Sequence, residues 1–283
     1  MKFKKKLWKK ISCMILVGVI SISVIGCGKG ASTSADASNL TVVKVGTGNS
    51  MPPFCSLDDN GNVVGYDVDV LKELDNRLAD YQFDIQSMDF TTLLVSLDSG
   101  ALDVVSHQLV KSDARKQKYL FPDQYYCLSP LSLAVKKDSG IKTLNDLKGK
   151  SINESPSSYE YSLLTSYSQK NLGNSLKINA VSDLSSADNF KQVANGQVDV
   201  ALTYQSTYKK VQDDLNLDNI TLTDTVLVED TYIMLAKGQE KLTTAINQAL
   251  KDMLNDGTLA TISKKDLTED VFANYTNLIQ TAN

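Results

Sequence analysis

The sequence is poor in the residues that usually carry cationic or metal chemistry. Its 283 residues hold one histidine, His107, and two arginines, Arg77 and Arg115, so lysine supplies the other basic side chains. With one histidine and four cysteines, Cys13, Cys27, Cys55 and Cys127, no His/Cys cluster at metal-ligand spacing can be drawn. No P-loop and no nucleophile elbow occurs, which removes the common phosphate-binding and hydrolase signatures. No metal and no cofactor is therefore expected. Basic residues are also unevenly spread. Six lysines fall within residues 1–26, and without them 33 acids face 23 bases, a net of about −10. An acidic body argues against nucleic-acid binding, which needs basic patches. Past residue 26 no apolar run is long enough to span a membrane, so the body is expected to fold outside the lipid.

The one long apolar run, Ile11 to Ile25, follows Lys2, Lys4, Lys5, Lys6, Lys9 and Lys10. A basic start and a short apolar core mark residues 1–26 as a signal peptide. It ends in Val24-Ile25-Gly26-Cys27, which resembles a bacterial lipobox. Cys27 then becomes the first mature residue and carries acyl chains such as palmitate. Each buried CH₂ is worth roughly 0.8 kcal/mol, so several chains hold the protein on the extracytoplasmic face of the cell membrane. An uncleaved signal anchor is the other reading. Residues 27–39, rich in Gly, Ser, Ala and Thr, cannot bury apolar surface and read as a flexible tether. Outside the cytoplasm Cys55 and Cys127 could pair as a disulfide; two buried thiols are the alternative.

From Leu40 the pattern is that of an α/β chain. Thr41–Thr47 predicts a buried strand that enters a loop stiffened by Pro52 and Pro53. Asp58-Asp59-Asn60-Gly61-Asn62 predicts a hairpin turn; it is too short for a calcium loop. Val68, Leu71, Leu74 and Leu78 recur at helical spacing. Strand 83–87, helix 90–97 and a strand from Asp103 follow. In the second half, strands are expected at 177–180, 199–202 and 231–237. Helices are expected at 159–170, 190–195, 241–254 and 259–264. Residues 96–106 (SLDSGALDVVS) and 192–202 (QVANGQVDVAL) share one order: helix, glycine, two residues, aspartate, apolar strand. This echo suggests two lobes built alike.

Ser106 to Phe121 gathers His107 and Arg115 directly after a buried strand. Arginine is the side chain best shaped to clamp a carboxylate in a bidentate fork, so Arg115 is a ligand-anchor candidate; a surface salt bridge is the plain alternative. Ser155-Pro156-Ser157-Ser158 precedes a helix, where serines act as N-caps and free N–H groups attract anions.

Several short motifs then resemble one family. They are Met51-Pro52-Pro53-Phe54, Gly65-Tyr66-Asp67-Val68-Asp69, Asp89-Phe90, Gly100 to Asp103, and Arg115 with Tyr119-Leu120-Phe121. Further along come Leu144 to Lys150, Gly196-Gln197-Val198-Asp199 and Asp256-Gly257-Thr258-Leu259. In order and spacing the chain resembles the extracellular solute-binding proteins of polar amino-acid ABC transporters (family 3 type), with His107–Phe121 nearest the cystine-binding branch. The resemblance implies a two-lobed, type II periplasmic-binding-protein-like α/β fold with the ligand cleft between lobes. Lobe one would be 40–130 plus 230–283 and lobe two 131–229, joined by hinge strands at 126–133 and 226–232.

The implied function is capture of a polar amino acid, cystine favoured, by lobe closure, with delivery to the permease subunits by a lipid-anchored monomer. By the same resemblance Arg115 clamps the ligand carboxylate, with N–H groups of Val110 and of Ser157 or Ser158 completing the cradle. Phe90 stacks on the ligand side chain, and Gln108 and His107 make polar contacts, although His107 also suits a structural role. Two positions depart from the family. Tyr204 stands where an aspartate commonly holds the ammonium, and Met51 where an aromatic often stacks. Two other functions are weighed. A dehydratase-like enzyme of this fold would need a cleft acid or base, for which His107 and Glu154 are the candidates. A lipid-anchored sensor or adhesin would bind without transport.

Overall fold

The computed structural model describes residues 40–278. The expected signal peptide, tether and lipidated Cys27 lie outside the described residues. β1 (Thr41–Thr47) leads through a small antiparallel sheet, β2 (Ser50–Met51), β3 (Cys55–Leu57) and β4 (Val63–Val64), into α1 (Tyr66–Arg77). β5 (Tyr81–Ser87), α2 (Phe90–Asp98), β6 (Val104–Val110) and the short α3 (Asp113–Lys118) follow. β7 (Cys127–Lys136) opens a second run: β8 (Ser151–Glu154), α4 (Tyr159–Asn171), β9 (Lys177–Ala180), α5 (Ser186–Asn195), β10 (Val200–Tyr204), α6 (Gln205–Leu215) and β11 (Ile220–Leu222). β12 (Leu227–Leu235) returns and α7 (Glu240–Asn255), α8 (Thr258–Asp266) and α9 (Val271–Tyr275) close the chain.

The main sheet runs β5-β1-β6-β12-β7-β10-β8-β9, with β11 added on β7. β5, β1 and β6 are mutually parallel, and β12 lies antiparallel to β6. β9, β8 and β10 are likewise parallel, and β7 lies antiparallel to β10. The two halves thus share one plan and meet where β12 pairs antiparallel with β7. β7 is buried at every position except Lys136, as expected of a strand covered on both faces.

Each half has its own apolar interior. Val43, Val45, Tyr66, Leu71, Leu74, Ile246 and Leu250 pack together on one side of the first half, and Leu93, Leu97, Leu102 and Val105 on the other. The second half has Leu147, Ile152, Leu164 and Val200 on one face and Phe190, Val193, Ala201 and Tyr208 on the other. Helix on both faces of parallel strands is the layer arrangement such strands require.

The internal echo has a structural meaning. Gly100 and Gly196 both take the left-handed conformation, each with φ near 74°, just after a helix. The aspartate three residues on then braces the neighbouring parallel strand. Asp103 Oδ2 accepts the Lys44 amide at 2.9 Å; Asp199 Oδ2 accepts the Ser151 amide at 2.8 Å. The turn at residues 58–62 closes on itself, since Asp58 Oδ1 accepts the amides of Asn60 and Asn62 at 2.9 and 2.8 Å.

Cys55 and Cys127 are both free and buried, which decides the cysteine question for buried thiols. Three helices were not anticipated: α3, α6 and α9. α3 is a six-residue turn started by the Ser112 side chain, and α6 carries few apolar residues, with Tyr208 and Val211 turned inward.

Candidate functional site

In an open α/β sheet, ligands bind beyond the carboxyl ends of parallel strands where strand order reverses. Here those ends converge. β1 delivers Gly48 and Asn49, β5 delivers Asp89 and Phe90, and β6 ends at Val110. β8 ends at Glu154, β9 leads to Val181 and Asp183, and β10 ends at Tyr204; all of these border one cleft. The cleft has two chambers. One, of about 170 Å³, is lined by Val110, Arg115, Ser158, Glu160, Tyr204 and Thr207. The other, of about 360 Å³, is lined by Asn49, Ser50, Asp89, Asn153, Asp183 and Asn189. Met51, Phe90, His107, Glu154, Ser186 and Leu202 border both and form the neck between them.

Arg115 enters the small chamber because Ser112 turns the chain out of β6: the Arg115 amide donates to Ser112 Oγ at 3.3 Å. Arg115 Nη1 donates to the Val110 carbonyl at 3.0 Å, and Nη2 reaches across the cleft to the Ser157 carbonyl at 3.2 Å. No carboxylate pairs with it within 4.0 Å among the described residues. Burial pulls its pKa below the ordinary arginine value, and the fields of Glu160, Tyr204 and Glu229 oppose that pull. It is a preformed, unpaired cation.

Facing it is an acidic wall that residue spacing alone could not reveal. Tyr204 is 7% exposed, and its hydroxyl lies 3.1 Å from Glu229 Oε2 and 3.3 Å from Glu160 Oε1. Glu229, on β12, is buried, and its Oε1 has no hydrogen-bond partner among the described residues. Burial, and next the charge of Glu160, holds Glu229 well above the usual carboxylate range. Glu154 is raised for the same two reasons, and its Oε2 accepts from Ser158 Oγ at 3.3 Å.

At the neck Phe90 stacks on the His107 ring, with centroids 5.1 Å apart and planes 28° apart. The Cys55 thiol lies 3.2 Å from His107 Nδ1, and burial, followed by Arg115, lowers the imidazole to about 4, so it is neutral at physiological pH. Gly48 is required beside it, since a Cβ there would sit 2.4 Å from the His107 ring. Cys55, Asp67 and His107 bring one potential metal-ligand atom each within 4.8 Å of one another. The 3.2 Å thiol–imidazole contact is within hydrogen-bond reach.

Two expected contact residues border the small chamber but have competing partners. Gln108, in the left-handed region at φ 47°, borders the small chamber, but its side-chain amide is already engaged by buried partners. Its Nε2 donates to Asp67 Oδ1 at 2.6 Å and its Oε1 accepts from Ser129 and Thr231 at 2.7 and 3.1 Å. Three buried polar partners outcompete a ligand for this amide, so it is a structural hub. Asp67 is lifted to about 7 by burial, against the opposing bonds from Gln108 and Tyr126. The Ser158 amide donates to the Ser155 carbonyl at 2.9 Å, and Ser158 Oγ caps α4 by accepting the Tyr161 amide at 3.0 Å. Ser158 therefore contributes no free N–H to an anion cradle. Ser157 is exposed at the rim and offers its carbonyl to Arg115. Val110, Phe90, His107, Met51, Arg115 and Tyr204 all border the cleft.

The mouth is bridged once more. Asp183, held at φ 56°, accepts from the Thr91 amide at 3.3 Å and the Thr91 hydroxyl at 3.0 Å. Thr91 sits on α2 of the first half and Asp183 follows β9 of the second.

This arrangement agrees with the comparisons to known proteins. The family described as bacterial extracellular solute-binding proteins, family 3, matches residues 43–269. The chain belongs to that family. L-cystine-binding protein TcyK of Bacillus subtilis (strain 168) is 31% identical over 258 residues, covering 90% of this chain and 94% of TcyK. A solved structure described as a putative L-cystine ABC transporter from Listeria monocytogenes is 34% identical, with a TM-score of 0.73 over 82% of this chain and 98% of that one. A third relative is a structure from work on glutathione import via GshT and the cystine ABC importer TcyBC of Streptococcus mutans. It is 26% identical, with a TM-score of 0.75, over 82% and 97% of the two chains. The family 3 protein described here has the two-lobed type II architecture of these neighbours. Among its described residues no helix is long and apolar enough to cross a membrane.

Proposed function

We propose that this family 3 protein is the lipid-anchored substrate-binding component of an ABC importer, and that its ligand is cystine. The carrying observation is the unpaired Arg115, facing Glu160 and Tyr204 across a small chamber that opens through a neck into a larger polar one. One amino-acid head fits the small chamber with its carboxylate on Arg115. A charge-assisted pair of this kind contributes on the order of 1.5–3 kcal/mol. The neck of Met51, Phe90 and His107 suits a disulfide, because sulfur packs well against thioethers and ring edges. Asn49, Asn153 and Asn189 in the larger chamber suit a second polar head. Cystine has two such heads joined by sulfur, and two of the relatives above carry cystine in their names.

Closure stabilised by the ligand would present both lobes to the permease, a shift of a hinge equilibrium along β7 and β12. The dehydratase-like alternative is disfavoured by the site. His107 Nδ1 is engaged by Cys55 and its ring is held against Phe90, which leaves it poorly placed as a mobile acid or base. Binding without transport, as in a sensor or adhesin, shares this cleft chemistry.

Thermal unfolding with a panel of amino acids, cystine and glutathione tests the reading. Ligand at 100 times its dissociation constant should add about 2.7 kcal/mol of stability. Cystine should shift the transition and Arg115→Ala should abolish that shift; no shift with any compound overturns the proposal. The anchor is tested separately by Cys27→Ala, which should release the mature protein into the medium. Unchanged retention would reject lipidation at Cys27.

A further inference from the structure

A second cluster of chemistry-bearing side chains gathers where β1, β3, α1 and β6 meet, against the neck of the cleft. Cys55 comes from β3, Asp67 from α1 and His107 from β6, so 12 and then 40 positions separate residues that the fold brings together. One donor atom from each, a thiol sulfur, a carboxylate oxygen and an imidazole nitrogen, lies within 4.8 Å of the other two. Cys55 Sγ and His107 Nδ1 are 3.2 Å apart. Buried oxygens beside them go unserved among the described residues. Asp67 Oδ1 accepts from Gln108 and Tyr126, but Oδ2 has no partner although the residue is 0% exposed. The Thr47 hydroxyl, as fully enclosed, lies near the Cys55 thiol and makes no hydrogen bond of ordinary geometry. Native interiors leave few such atoms, so two beside one cluster of ligand-type groups call for an occupant.

We infer that Cys55, Asp67 and His107 form a binding site for a divalent cation of the Zn²⁺ class. The site goes beyond the amino-acid-binding reading and does not depend on it. The donor set selects the ion: thiolate and imidazole suit Zn²⁺, whereas Mg²⁺ and Ca²⁺ take oxygen ligands. The spacing fits as well. With Zn–S and Zn–N bonds of about 2.3 and 2.05 Å, the 3.2 Å separation corresponds to an angle of about 95° at the ion, and about 0.4 Å of movement makes it tetrahedral. Charge balances too. One thiolate and one carboxylate cancel the dication, so the buried site carries no net charge that would have to be desolvated. On binding, the Cys55 thiol and the Asp67 carboxyl give up any proton they hold to solvent, and their lone pairs go to the ion. Neutral His107 keeps its proton on Nε2 and offers the Nδ1 lone pair. Three protein ligands leave a fourth position for water, which the Thr47 hydroxyl is placed to hold. His107 lines both chambers, so the neck is the entry path.

The test titrates the tag-free full chain, stripped by a chelator and kept reduced, with Co²⁺ as an optical stand-in for Zn²⁺. The wild type should develop a thiolate-to-cobalt charge-transfer band in the near ultraviolet that saturates at one ion per chain and disappears when Zn²⁺ displaces the cobalt. Cys55→Ser should remove the band and weaken Zn²⁺ binding by about 100-fold or more, since losing a ligand should exceed the ~10–100-fold cost of losing an outer-shell partner. His107→Gln should weaken Zn²⁺ binding on the same scale, and Cys127→Ser should change neither band nor affinity. Thermal melting in chelator shows whether a variant is folded; should Cys55→Ser fail there, the wild-type band and His107→Gln decide. A wild type with no band at saturating Co²⁺ overturns the assignment and leaves a buried water as the occupant. A band that survives in folded Cys55→Ser comes from another thiol and overturns it as well. No amino acid is present in the titration, so either failure leaves the reading of the cleft untouched.

Discussion

In the first half of the sheet, Asp103 accepts the amide of Lys44 on β1; in the second half, Asp199 accepts that of Ser151 on β8. Each aspartate follows a left-handed glycine at the end of a helix, and each braces the strand that runs parallel beside it. The two halves part company at the carboxyl ends of these strands. β6 runs into Val110 and turns through α3 to present Arg115, a cation. β10 runs into Tyr204, and the neighbouring β8 and α4 present Glu154 and Glu160, which are acids. The scaffolds are duplicates, and the charge they aim at the cleft is opposite. A zwitterion is the simplest ligand that satisfies both ends at once.

That comparison can be broken from either side. The largest effect is expected from Gln108→Ala, which strips Asp67, Ser129 and Thr231 of their buried partner in the first half. At about 1–3 kcal/mol for each buried group left unsatisfied, the loss should be about 3 kcal/mol or more by chemical denaturation. The second half has a counterpart in buried Asn153, which meets Asn179, Asn189 and Gln192, but those partners are half-buried or exposed and keep access to water, so Asn153→Ala should cost less.

Asp67 should also give the first half a distinctive pH response. Its carboxyl is lifted from 3.8 to about 7 in the fold, so the protonated form is favoured there. The stability it contributes is complete below its unfolded pKa and is lost as pH rises through about 7. Asp67→Asn should flatten the stability curve between pH 4 and pH 8. An unchanged slope would place the titration elsewhere.

Next in size are the matched braces. Asp103→Ala and Asp199→Ala should each cost about 1–2 kcal/mol, and by similar amounts, if the echo is a shared device. A large inequality would mean that the motif does different work in each half.

The smallest effect is expected from Asp183→Ala, which removes the bridge to Thr91 at the mouth. Cystine affinity should fall only a few-fold, since an exposed hydrogen bond is worth about 0.5–1.5 kcal/mol. A loss as large as that of Arg115→Ala would show that the bridge carries closure.

Much of this was legible in the residues. Apolar periodicity predicted α1 and α7, the run 41–47 predicted β1, and the 96–106 and 192–202 echo predicted the duplicated plan. Arg115 stood out because arginine is so rare here and because it follows a buried strand. The acidic wall was not legible. Glu160 and Glu229 are 69 positions apart, on a helix and a strand that meet only through the sheet order, and no local spacing marks them as partners. The partners of Gln108 were hidden for a related reason. Alternation along β6 leaves its direction open, and the left-handed backbone at that residue turns the amide inward, toward Asp67. α6 was missed because Tyr208 and Val211 are too few to set a helical period.

If cystine is the ligand, as proposed, Cys55 and Cys127 acquire a further significance. A cleft that takes up disulfides exposes any thiolate on its walls to exchange, which would chain the ligand to its carrier. Cys55 and Cys127 are fully buried, and burial drives both thiols above their ordinary pKa, Cys127 to about 12. They stay protonated and out of reach. Cys55 keeps its proton beside neutral His107, because burial raises the thiol, and so lacks the thiolate that attack requires. With the proposed cystine in the cleft, these two thiols would stay chemically silent through repeated cycles of binding.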